Sequence, residues 1–116
     1  MKILVGTLYS GENEYEECLK AIRAQTDVVF EHIVIENKPE LEAHCLLFSS
    51  FLERSSEFEL LVKVDADTVL NSPNLFNNIV ARFEADPGLE VLSIALHDFF
   101  TDELINGLQT YRNSVR

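Results

Sequence analysis

The chain has 116 residues, 47% hydrophobic and 25% charged, with 9 Lys and Arg against 20 Asp and Glu and a formal charge of −11. That length holds one hydrophobic core, and the composition excludes collagen-like, low-complexity and largely disordered classes. The acidic balance lacks the basic footprint by which proteins hold nucleic acid or an anionic membrane surface, and it repels a phosphorylated ligand unless a metal cation stands between them.

Along the chain the apolar pattern alternates between two periods. Ile3-Leu4-Val5 is a continuous apolar run, the mark of a strand buried on both faces. The run is too short for the apolar segment of a signal peptide or for a membrane span. After a polar loop from Ser10 to Glu14, Tyr15, Cys18, Leu19 and Ile22 recur at helical spacing, opposite Glu16, Glu17, Lys20 and Arg23. His32 to Ile35 reads as a second strand, ended by Glu36-Asn37-Lys38-Pro39. Leu41, Cys45, Phe48 and Leu52 mark one face of a longer helix that runs to about Arg54, and Leu60 to Val64 reads as a third strand.

Ser72-Pro73 predicts a helix start, with a capping hydroxyl and a proline at the first helical position. Leu75, Phe76, Ile79, Val80 and Phe83 continue that helix until Asp86-Pro87-Gly88 stops it. Val91 to Leu96 reads as a fourth strand. In the last segment Ile105-Asn106-Gly107 is compatible with a turn, and Leu108 to Tyr111 alternates weakly, like an edge strand. No internal repeat or linker interrupts the order.

Cys18 and Cys45 fall on apolar helix faces and read as packed core thiols, with no C-x-x-C and no zinc spacing. A reduced, cytoplasmic setting follows. His32 and His44 read as fillers of surface or core.

The order βαβαβαβ predicts one three-layer α/β/α domain over residues 1–116, with a mainly parallel sheet and helices on both faces. Ligands of such sheets gather beyond the carboxyl ends of the strands. The segments that matter are therefore Gly6 to Gly11, Glu36 to Lys38, Asp65 to Thr68 and His97 to Asp102. No glycine-rich phosphate fingerprint is present.

Asp65-Ala66-Asp67, directly after the third strand, is the sharpest feature. Residues two apart in an extended stretch point the same way, so the two carboxylates converge and repel unless a cation or hydrogen bonds hold them ionised. Such hard oxygen ligands suit Mg²⁺ or Mn²⁺, with water and substrate phosphate completing the sphere. A metal there would let an acidic protein bind a nucleotide diphosphate. The plainer alternative is an acidic turn in which Asp65 or Asp67 caps the following segment. Lys63, from the same strand, would either approach a phosphate or snorkel to the sheet edge.

In these segments the chain resembles the nucleotide-binding half of a GT-A glycosyltransferase of the family 2 type. Gly6-Thr7 after the first strand is similar to that family's Pro-Thr-Tyr-Asn opening, with glycine in place of proline. Glu17-Cys18-Leu19-Lys20-Ala21-Ile22-Arg23-Ala24-Gln25-Thr26 is similar to its Glu-x-Leu-x-Ser-Ile-x-x-Gln-Thr helix. His32 to Asn37 stands where the family has a Val-Val-Asp-Asp strand end, and Leu61 to Thr68 resembles its Asp-x-Asp strand. The order and separations agree over residues 3–96.

The resemblance implies a nucleotide pocket lined by Thr7, by Glu36 at the base or ribose, and by Asp65 at the ribose or a metal-bound water. It implies a metal held by Asp67, with Asp65 beside it. The implied reaction transfers a glycosyl group from a UDP- or GDP-sugar to an acceptor hydroxyl. Glu36-Asn37-Lys38-Pro39 lacks the family's second Asp and Gly-Ser. Only 48 residues follow Thr68, so the fold is expected to be truncated. A catalytic base would have to come from Asp98 or Asp102 or lie outside the chain. Tyr111 and Arg112 are candidates to hold acceptor or diphosphate.

Three alternatives stand beside this reading. One is a non-catalytic nucleotide-binding remnant that acts through partner contacts. Another is a haloacid-dehalogenase-like phosphatase, whose Asp-x-Asp normally follows the first strand and which needs a downstream lysine that is absent after Leu70. A phosphate-accepting receiver domain would need an acidic pair after the first strand, where Gly6 to Tyr9 has none. The sequence leaves open a homo-oligomer or a separate acceptor-domain partner.

Overall fold

The computed structural model describes residues 2–9, 11, 15–26, 28–66, 70, 73–98 and 103–113; the side chains of residues 40, 93–98 and 103–107 are outside that description. The element order is β1 (Lys2–Tyr9), α1 (Tyr15–Arg23), β2 (Val29–Glu36), α2 (Glu40–Glu53), β3 (Leu60–Val64), α3 (Leu75–Ala85), β4 (Val91–Asp98) and β5 (Glu103–Arg112). The five strands form one sheet in the order β2-β1-β3-β5-β4. β1 pairs parallel with β2 and β3, whereas β5 runs antiparallel between β3 and β4. Four strands therefore point the same way, and their carboxyl ends share one edge. The layers are those the sequence predicts.

Strand alternation divides the core in two. Ile3, Val5, Leu60, Val62 and Val64 face one way and pack with Cys18 and Ile22 of α1 and Phe76, Ile79, Val80 and Phe83 of α3. Leu4 and Leu61 face the other way, against Leu47 and Phe51 of α2 and Phe58. Phe30 of β2 meets Phe76 edge to face, and Arg112 of β5 donates to the Phe83 carbonyl at 2.8 Å. α3 thus crosses the sheet from its β2 side to its β5 side.

Three local expectations are corrected. The buried face of α2 is Ala43, Leu47 and Phe51, not Leu41, Cys45 and Leu52. Leu41 is 78% exposed, and Cys45 is a free, exposed thiol, in contrast to the free and buried Cys18. Both stripes have helical spacing; the sheet selects the one that fits opposite Gly6. A Cβ at Gly6 would come within 2.2 Å of Leu47 Cδ1, so glycine is what lets α2 seat there.

The carboxy-terminal segment is likewise not an edge. β5 is an interior strand of 10 residues, and its register with β4 passes from Ile94↔Leu108 to Ala95↔Asn106, which leaves Gly107 as the extra residue of a bulge. Asn106-Gly107 reads as a turn in sequence because glycine serves both purposes.

The third correction concerns the start of α3. The helix begins at Leu75 with Asn74 at its cap and no side-chain cap bond from that residue. Ser72 lies outside the described residues. A first-turn amide without an intrahelical acceptor is met from another element instead: Phe76 N–H donates to Gln25 Oε1 at 2.9 Å, and both residues are buried. Thr26 N–H adds a bond to the Pro73 carbonyl at 2.8 Å.

Candidate functional site at the carboxyl edge of the sheet

The carboxyl ends of β1, β2 and β3 lie side by side, and alternation sends their terminal side chains to two sides of the sheet. Thr7 lies on the α1 side. It is fully buried, and its Oγ1 shares a 2.8 Å hydrogen bond with His32 Nε2 on β2. Its hydroxyl is thus already partnered within the sheet, which leaves its backbone as the part nearer the edge. Burial, followed by the charge of Arg23, holds the His32 imidazole below its usual 6.5, so the ring is neutral at neutral pH.

Beyond Thr7, Tyr9 at the end of β1 stacks on Tyr15 at the start of α1, with ring centroids 3.9 Å apart and planes 18° from parallel. Gly11, in the loop between them, has φ +95°, which glycine adopts without penalty. The ends of β1 and β2 are tied by the Asn37 N–H, which donates to the Tyr9 carbonyl at 2.8 Å from a left-handed φ of 54°. Glu36 is exposed beside this pair. The Tyr15 phenol is raised above its usual 10.0, first by burial and then by the Glu36 carboxylate and its nearer neighbours.

Asp65 emerges after β3, on the α2 side of the sheet. Its side chain is 49% exposed, and its carboxylate lies 3.7 Å from the Lys63 ammonium, whose side chain is only 18% exposed. In the sheet Lys63 is flanked by Gly6 of β1 and Gln109 of β5. Tyr111 OH donates to Gln109 Oε1 at 2.5 Å and its ring meets Phe48 edge to face. Burial raises the Tyr111 phenol above its usual 10.0. The Asp65 carbonyl accepts a 3.5 Å bond from Cys18 Sγ, which fixes the strand end against α1 while the carboxylate points the other way.

The structure therefore brings Thr7, Glu36 and Asp65 to one edge, with the first two on the α1 side and Asp65 on the other. Asp67 and Asp102 lie outside the described residues, and of Asp98 only the backbone, at the end of β4 on this same edge, is described. Arg112 is at the opposite edge and Tyr111 points toward α2, so the two do not form a pair at the site. Sequence reasoning missed the Tyr9–Tyr15 stack; the available signal was an aromatic on each side of the Ser10–Glu14 loop.

As a donor set for a hard cation, Asp65 offers an accessible carboxylate oxygen in the right chemical class. Among the described residues no group of three or more His, Cys, Asp and Glu is placed to hold a metal. Also among them, no helix is long and apolar enough to cross a membrane.

No protein-family model and no curated protein matches the sequence. Solved structures do match the fold. One, described as A197 from STIV, superposes with a TM-score of 0.71 at 13% identity over 98% of this chain and 66% of its own length. Another, a glycosyltransferase involved in the glycosylation of the major capsid of PBCV-1, gives a TM-score of 0.58 at 16% identity over 97% of this chain and 60% of its own. The chain thus spans less than two thirds of the length of each. At these identities the likeness is one of fold, and the fold of this chain is glycosyltransferase-like.

Proposed function

We propose that the chain is the donor-binding part of a metal-dependent glycosyltransferase of the GT-A, family 2-like type, acting on a UDP- or GDP-sugar. The observation that carries this reading is the position of Asp65, the first residue of the Asp-x-Asp motif. In a glycosyltransferase-like sheet, Asp65 leaves the end of β3, between β1 and the interior strand β5, at the edge where ligands of such sheets collect.

In this reading the Thr7 backbone and Glu36 face the nucleoside, Asp65 the ribose or metal-bound water, and Asp67 the metal. When bound, Mn²⁺ or Mg²⁺ neutralises charge on the departing diphosphate. The acceptor oxygen bonds to the anomeric carbon as the sugar–phosphate bond breaks, and the hydroxyl proton passes to a base. Asp98, at the end of β4 one strand beyond β5, and Asp102 are this chain's candidates for that base; a separate acceptor-domain partner or a second copy is the other source. The free thiols Cys18 and Cys45 suit a reducing, cytoplasmic setting.

Calorimetric titration of UDP and GDP, with Mn²⁺ present and absent, tests the proposal on the wild type and Asp67→Ala. Binding is expected only with Mn²⁺, with a loss of more than about 100-fold in Asp67→Ala. Metal-independent binding, or none in any condition, would overturn it. Hydrolysis of a nucleotide-sugar panel then separates enzyme from remnant: binding without turnover favours a non-catalytic nucleotide-binding module.

A further inference from the structure

We infer that Lys63 is the residue that couples metal and diphosphate binding at this edge: it opposes a cation at Asp65 while the donor is absent and pairs with the diphosphate once the cation is in place. The inference rests on the donor-site reading above and assigns a role to a residue outside the Asp-x-Asp motif.

The argument starts from where the ammonium can go. The Lys63 stem rises from β3 between Gly6, over which Leu47 of α2 is seated, and Gln109, and four fifths of its side chain is out of water. Among the described residues its ionic partner is Asp65, at 3.7 Å. A mostly buried ammonium needs a counter-charge, since an unpaired one is strongly unfavourable. Asp65 is the more exposed member of the pair and can be reached from solvent. A divalent cation arriving at Asp65 therefore meets a resident positive charge within a few ångströms and draws on the same carboxylate. If it arrives alone, it leaves Lys63 without its partner. If it arrives with a nucleotide diphosphate, the phosphate oxygens supply the missing anion and accept from the ammonium, whose compact charge and rotatable donors suit that contact. Metal and diphosphate then favour each other through Lys63, and the coupling is reciprocal.

The role predicts two shifts of opposite sign. In Lys63→Met, which keeps the stem and removes the charge, Mn²⁺ alone should bind roughly tenfold tighter, while UDP or GDP at saturating Mn²⁺ should bind roughly tenfold more weakly. Lys63→Arg keeps the charge and should keep the wild-type order of both affinities. The measurements are a Mn²⁺ titration followed by the free-ion paramagnetic signal and a nucleotide titration by calorimetry, with urea midpoints confirming that each variant is folded. Two affinities that fall together in Lys63→Met would indicate a merely structural lysine and overturn the inference, as would no change in either. If the wild type binds no nucleotide with Mn²⁺, the donor-site reading itself fails; if it does and Lys63→Met behaves like it, only the role of Lys63 fails.

Discussion

The two edges of the sheet are finished in opposite ways. At the amino edge several loose backbone carbonyls meet a side chain. Arg112 donates to the carbonyls of Leu89, Phe83 and Asp86, and Asn113 to those of Ser55 and Phe58. Arg54 pairs with both Glu31 and Glu57, Lys2 also pairs with Glu57, and the two cations sit over the Phe58 ring. Among the described residues of the carboxyl edge the charges are more loosely paired. Glu36 is exposed, and Asp65 is held at 3.7 Å by one lysine. Satisfied groups stabilise a fold, while accessible and incompletely paired ones leave interaction energy for a ligand. The contrast assigns stability to the amino edge and, in the function proposed above, binding to the carboxyl edge.

The largest expected effect comes from breaking the amino edge. Arg112→Ala removes bonds to three carbonyls and a guanidinium 5.2 Å from the centre of the Phe83 ring, which together hold the end of α3 to β5. The expected loss is about 2–3 kcal/mol in urea unfolding, with nucleotide affinity unchanged below the transition. A large loss of affinity in the folded variant would break the division between the edges.

The sequence is least readable where packing between distant elements decides among local signals. Periodicity is enough to place β1, β3, β4, α1 and the body of α3, because each has one apolar stripe or one apolar run. It is not enough for α2, where Leu41-Cys45-Leu52 and Ala43-Leu47-Phe51 both repeat at helical spacing and the space above Gly6 decides between them. Nor can local signals show that Gln25 caps α3, since the two residues meet across 51 positions of chain. β5 is hidden by the glycine of its own bulge. At the carboxyl edge the position of Asp65 and Glu36 follows from strand ends alone, whereas the Lys63–Asp65 pair depends on which side of the sheet each residue takes.

Acid separates the edges by a smaller effect. His32, in the middle of β2 and bonded to Thr7 toward the carboxyl edge, is held below its usual 6.5 by burial and then by Arg23. The unfolded chain takes up that proton first, so stability falls as the pH drops below 6.5. At the amino edge, bonds from Arg54 and then Lys2 pull Glu57 from 4.5 down to about 2, and a bond from Arg54 lowers Glu31. Their contribution is present above 4.5 and is lost as the pH falls toward about 2. Thermal midpoints across this range should therefore decline in two stages. Because the carboxylates are exposed, high salt should compress the lower stage and leave the upper one in place. Glu57→Gln should shrink the lower stage alone. A single stage, or one that salt abolishes entirely, would mean that His32 is not held neutral by burial.

The smallest effect concerns whether the open charges of the carboxyl edge sense one another. Glu36 is the second-ranking cause, after burial, of the raised Tyr15 phenol, and Tyr9 stacked on that ring adds to it. Glu36→Gln removes a charge and keeps the shape, so the Tyr15 titration should move down part of the way toward 10.0 while its burial contribution remains. Phenolate absorbance reads this, and Tyr15→Phe assigns the step among the three tyrosines. Unfolding free energy should stay within about 0.5 kcal/mol, as expected of an exposed side chain with no hydrogen bond or ion pair to lose among the described residues. A Tyr15 step that does not move would place Glu36 away from the tyrosine pair, and with it away from any nucleoside resting there. A fall in stability well beyond that bound would make Glu36 a structural group like those at the amino edge, and the contrast between the edges would then hold only for Lys63 and Asp65.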